Sequence, residues 1–189
     1  MANQEQLRTL KKEGVEVWNL WRKVHPDENI ELEGADLDTA YFSNAYLNYA
    51  YLNYGYLRGA NLTRADLTGA KLVGANLTGA NLIGVQALQT NFDGATLTGA
   101  SIKDWNINSK TNLQNVICDY IYFKQDQQER RLYDPKKNFE PGEFTKLFKI
   151  ARKTVDLVFL DGIDWKAFLL SLNSDFSQIN LKAQSRDEK

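Results

Sequence analysis

Between Ile30 and Ile107 the chain holds a five-residue period without a break in register. Every fifth residue from Leu32 is large and apolar: Leu32, Leu37, Phe42, Leu47, Leu52, Leu57, Leu62, Leu67, Leu72, Leu77, Leu82, then Ala87, Phe92, Leu97, Ile102 and Ile107. Two residues before each lies a second, mostly small column, with alanine from Ala35 to Ala50, Ala60 to Ala80, and again at Ala95 and Ala100. An amphipathic helix spaces its apolar residues by three and four, and a half-buried strand by two. A period of five fits a chain that makes a short extended side, turns a corner and repeats. Each pentad then sends one large and one small residue inward and three outward. The residue before many of the small positions is Gly or Asn (Asn44, Gly59, Gly69, Gly74), as corners with unusual backbone angles require.

The run ANLTRADLTGAKLVGANLTGANL resembles the A(D/N)LXX signature of the pentapeptide-repeat family. The resemblance implies a mainly β fold. Four pentads make one coil of a right-handed quadrilateral parallel β-helix, with neighbouring coils about 4.8 Å apart. The expected solenoid spans residues 30–124, in roughly four to five coils. After Ile107 the inward pairs recur one residue late, as Thr111 with Leu113, Val116 with Cys118 and Ile121 with Phe123. This places an extra corner residue within 108–110. Trp105 is oversized for the small column, so the wall is expected to loosen there.

A solenoid exposes unpaired backbone and apolar core at both ends and needs caps. Residues 1–29 are expected to supply an N-terminal helical cap. Leu7, Leu10, Val17, Trp18, Trp21 and Val24 recur at helical spacing from about Gln4, and Pro26 stops the helix. Trp18 and Trp21 serve either as a lid on the first coil or as partner anchors, and the need to cover that coil favours the lid. Residues 125–189 lose the pentads and form a C-terminal helical segment. One helix opens at Glu140–Pro141–Gly142 and carries Phe144, Phe148 and Phe159, and a second begins at Asp164 with Trp165 and Phe168. The entry GVEVWNLWRK and the segment NFEPGEFTKLF are similar to those of cyanobacterial pentapeptide-repeat proteins. That resemblance implies that the tail 179–189 is a shortened form of a further domain.

The sequence holds no phosphate-binding glycine loop, no H-E-x-x-H and no C-x-x-C, and the repeat lacks the calcium-binding pattern of other β-helices. No catalytic residue, cofactor or metal is therefore expected. Cys118 falls on an inner position, where a thiol is a small inert apolar group. His25 ends the first helix and is read as a cap on its carbonyls. Asp36, Asp66 and Asp93 face outward as solvated residues.

The opening residues are polar, no apolar run approaches a membrane span, and the cysteine is single. The expected setting is the cytoplasm, with neither membrane nor nucleic acid as a partner. The resulting function is a non-enzymatic scaffold for protein–protein interaction, with an unidentified protein partner. Two alternatives are weaker. Some members of the family mimic DNA and bind gyrase, which takes a strongly negative rod. Residues 30–124 carry eight acids and six bases, a net charge near −2. The other alternative is an enzyme built on the C-terminal helices.

Tyrosine marks the expected partner surface. Tyr41, Tyr46, Tyr51 and Tyr56 each precede a large inner residue on the outward side, and Tyr49 and Tyr54 add rings at corners. Rings five residues apart sit on successive sides of the square, so they form a belt and not a stripe. They serve either a partner or the packing of the wall, by covering it beside the N-terminal helix or by stacking on the next coil.

Overall fold

A computed structural model describes residues 2–122, the backbone of 130 and 131, residues 138–146 and residue 148. The repeat folds as a ladder of parallel pairings between residues twenty apart. Glu31 pairs with Tyr51, Asp36 with Tyr56, Tyr41 with Asn61 and Tyr46 with Asp66, before Tyr51 begins the next coil by pairing with Lys71. Four sides therefore close one coil. The backbone accounts for its polar groups locally. On one side, the Asn76 N–H donates to the Gly55 carbonyl (2.9 Å), Leu57 to Asn76 (2.8 Å) and Gly59 to Thr78 (2.9 Å). The corner closes as a β-turn, with the Ala60 N–H donating to the Leu57 carbonyl (3.1 Å).

Both columns line the interior. From Leu32 to Ile102 every large-column residue is buried, and so is the small column apart from Ala40, which is half-buried. Ile107 is half-buried too, contrary to its column position, because the ladder shifts there. Gln86 still pairs with Asn106, but Asn91 pairs with Asn112, Thr96 with Ile117 and Ser101 with Tyr122, each one residue late. Thr111 re-enters the interior and donates its hydroxyl to the Ala87 carbonyl (2.8 Å), which satisfies a polar group at zero cost in unpaired donors. Trp105 stays almost wholly buried, edge-on to Phe92 at 5.3 Å.

The N-terminal cap is two helices where the spacing predicts one. Helix α1 (Gln4–Arg8) runs into a wide π turn at Thr9–Glu13, and Gly14, at φ 92°, separates it from α2 (Val15–Val24). Leu10 and Trp18 are buried on the first coil, with Leu7 and Trp21 partly so, but Val17 and Val24 face solvent. Trp18 donates its indole N–H to the Tyr46 carbonyl (2.9 Å). Asn19 bonds both the Asn44 carbonyl and the Tyr46 N–H, and Gln6 accepts the Glu31 N–H (2.8 Å). These groups stand in for the missing preceding coil. Arg22, nearly buried, holds the carbonyls of His25, Pro26 and Glu28, shaping the link into the solenoid.

At the other end, the short strand β1 (Ile121–Tyr122) pairs antiparallel with β2 (Arg130–Arg131). Residues 143–146 are helical, and Phe139, Phe144 and Phe148 are buried against the end of the stack. Phe148 meets Trp105 edge-on at 6.3 Å, and the Thr145 hydroxyl donates to the Leu113 carbonyl (2.9 Å). Phe159, Trp165 and Phe168, with the second expected helix, lie outside the described residues, as does Phe123. No helix of the described residues is long and apolar enough to cross a membrane.

Candidate protein-interaction surface

The outward position before each large residue has a local job. Where it holds Asn or Asp, the side-chain oxygen accepts the N–H two residues on, inside the turn, except at Asn106, where the Asn108 N–H goes to the Thr111 hydroxyl. Asn61 does this for Thr63 (3.1 Å), Asp66 for Thr68 (2.9 Å), Asn76 for Thr78 and Asn81 for Ile83 (each 3.1 Å). Asp36, Asn91 and Asn112 repeat the contact. Such turns within the side chain's own reach are what Asn and Asp do best. Here lies the physical reason for Asn and Asp in this column.

Tyrosine cannot make that bond. Tyr41, Tyr46, Tyr51 and Tyr56 occupy the same position in the first two coils. For Tyr56 the loss is repaired from the coil below, where the Asp38 carboxylate accepts the Arg58 N–H (2.8 Å) and grips its guanidinium at 2.6 and 2.8 Å. That guanidinium holds the Asp38 carboxyl below the ordinary carboxylate range. For Tyr41, Tyr46 and Tyr51, the N–H groups of Ser43, Asn48 and Asn53 have no acceptor among the described residues. Tyr41 is 81% exposed, Tyr46 41% and Tyr56 52%. Tyr51 is half-buried, with the Lys71 ammonium 4.3 Å from its ring centre.

Tyr49 and Tyr54 do different work. Both sit at corners with positive φ, 60° and 56°, and both remain exposed on one face. Their other faces lie on Gly69 and Gly74, so closely that a Cβ at Gly69 would stand 2.5 Å from the Tyr49 ring. The stacking expected on the next coil falls, for these two rings, on its glycines. The signal was present in the sequence as a glycine twenty residues after each corner tyrosine. Tyr120 meets Gly99 in the same manner from the opposite direction.

The chemically capable side chains are placed apart. Cys118 is buried, its thiol faces the Tyr120 carbonyl at 3.6 Å, and burial, with Asp119 beside it, pushes its pKa far above the ordinary thiol value. A thiol so held stays protonated. His25 stacks on Trp21 at 5.1 Å with Nδ1 3.0 Å from the Trp21 carbonyl, which makes it part of the α2 terminus. Among the described residues no cluster of three or more His, Cys, Asp or Glu side chains is arranged to hold a metal ion.

Parallel four-sided coils, with Asn or Asp closing many of the turns, define a β-helical solenoid. The family model described as pentapeptide repeats (8 copies) matches residues 28–64 and 60–99, so this part of the chain is built of pentapeptide repeats. Its structural neighbours are pentapeptide repeat proteins. One, from the Arabidopsis thaliana thylakoid lumen, is 27% identical over 53% of this chain and 68% of its own, with a TM-score of 0.40. Rfr23 from the cyanobacterium Cyanothece 51142 is 32% identical over 51% of this chain, with a TM-score of 0.28, and the match spans 57% of that protein. A third, from Nostoc PCC 7120, is 24% identical over 52% of this chain and 91% of its own, with a TM-score of 0.18. Comparison with curated proteins finds no match.

Proposed function

We propose that the solenoid is a non-enzymatic scaffold that binds a protein partner on the tyrosine surface of its first two coils, Tyr41, Tyr46 and Tyr56 above all. One observation carries this reading. At Tyr41 and Tyr46 the chain forgoes the turn-capping bond that Asn or Asp makes at the same position elsewhere, and leaves the rings exposed. A ring that costs the coil a hydrogen bond and still stands partly in solvent is better explained by what it meets outside. Tyrosine suits that role, joining a large apolar area to a hydroxyl with few rotors to freeze. Tyr49, Tyr51 and Tyr54 frame the surface while also serving the wall through Gly69, Lys71 and Gly74.

The test is capture of partners by the full chain and by Tyr41→Asn/Tyr46→Asn, followed by titration of any partner found. Loss of central aromatic anchors weakens an interface by roughly 2 kcal/mol or more, about thirtyfold in affinity. Equal affinity of the two proteins for the same partner would remove the tyrosines from the contact.

A further inference from the structure

Helix α2 is amphipathic on both sides. At 3.6 residues per turn, Trp18 and Arg22 point to one side and are buried against the first coil and its link. The opposite side carries Val17, Leu20 and Val24, exposed by 41%, 62% and 74%. They fall at positions i, i+3 and i+7, an apolar stripe that nothing among the described residues covers. Trp21, half-buried, borders the stripe on one flank. Glu16 and Lys23 border it on the other, both exposed, and neither is in an ion pair among the described residues.

We infer that this stripe pairs with the same stripe of a second copy, the two α2 helices running antiparallel about a two-fold axis near Leu20. Charge placement chooses this occupant. When two identical helices pack antiparallel, the same flank of each meets the other with its direction reversed. Glu16 of one copy then comes opposite Lys23 of the second, and the contact occurs twice, once on each side of the axis. Val17 meets Val24 of the second copy by the same operation, and Leu20 sits near the axis. The surface is thus self-complementary in both apolar and charged groups, as an isologous contact must be. The stripe is short, so the pairing is a weak, concentration-dependent one. It does not rest on the tyrosine surface.

Sedimentation velocity of the full chain from about 5 µM to about 0.5 mM tests it, a range that spans weak dimers. The expected result is a monomer–dimer equilibrium that Leu20→Glu abolishes. Glu16→Lys and Lys23→Glu alone should each weaken the dimer about three- to tenfold by facing like charges, and the double reversal should restore it. All the substituted side chains are exposed, so melting temperature should stay at the wild-type value and serve as the folding control. A monomer at every concentration, or a dimer indifferent to Leu20→Glu or to the charge reversals, overturns the inference.

Discussion

Asparagine and aspartate at most of their positions on this wall close the turn they precede, a bond that Tyr41, Tyr46 and Tyr51 forgo, as do Glu31, Gln86, Thr96 and Ser101. Two residue-level consequences can be measured. Asp38 grips Arg58 across one rung, and its carboxyl is held below the ordinary carboxylate range chiefly by the Arg58 hydrogen bond. A depressed folded-state pKa stabilises above the unfolded pKa, and that gain is lost as pH falls through the folded value. An NMR titration should therefore show Asp38 protonating below the ordinary carboxylate range, and shifting back up in Arg58→Ala; an unchanged midpoint in that variant would separate the two groups. The second concerns Gly69, which combines φ 68° with the Tyr49 ring resting on it. Gly69→Ala should cost about 1–3 kcal/mol from backbone strain and the displaced ring. Chemical denaturation should show part of that cost recovered when Tyr49→Ala is added, since only the ring contact is then relieved.

At the scale of elements, the coil was legible and the cap only partly so. Two columns of fixed volume, five residues apart, can be buried in few ways, so Leu67 and Leu72 declare their positions without any structure. The extra residue after Ile107 was legible for the same reason, because the columns resume one step late. The cap gave a weaker signal. Its apolar residues lie at helical spacing on two opposite faces, and spacing alone does not say that Leu10 and Trp18 turn inward while Val17 and Val24 turn out. The wide turn before Gly14 was hidden too, since it preserves helical spacing while adding a residue. Its packing sets an expectation. Trp18 is fully buried and spends its N–H on the first coil, so Trp18→Ala should destabilise the chain by about 3–5 kcal/mol in urea unfolding. A loss below about 1 kcal/mol would mean that the helix merely rests on the coil. Leu67→Asp buries an unpaired charge in the stack and should abolish the cooperative transition altogether.

On the scale of the whole molecule, a stack of self-satisfying coils is closed at one end by α1 and α2 and packed at the other by Phe139, Phe144 and Phe148. Such a ladder offers rigid side-chain positions about 4.8 Å apart along each side, which suits recognition more readily than chemistry. The charges on the wall are mixed, and its most distinctive outward feature is aromatic. What the wall is for was less legible than how it is built, because both a packing role and a binding role place tyrosine at the same position. The stability of variants at these positions separates them. The most direct measurement is the melting temperature of Tyr41→Asn/Tyr46→Asn. Asparagine regains a turn bond worth roughly 0.5–1.5 kcal/mol at each site, against up to about 1 kcal/mol of tyrosine's strand preference. The cap contacts at Tyr46 survive, since Trp18 and Asn19 hold its backbone and not its ring. If the rings are kept for a partner, the variant should melt at or above the wild-type temperature; a loss of more than about 2 kcal/mol would contradict this and make the tyrosines part of the fold.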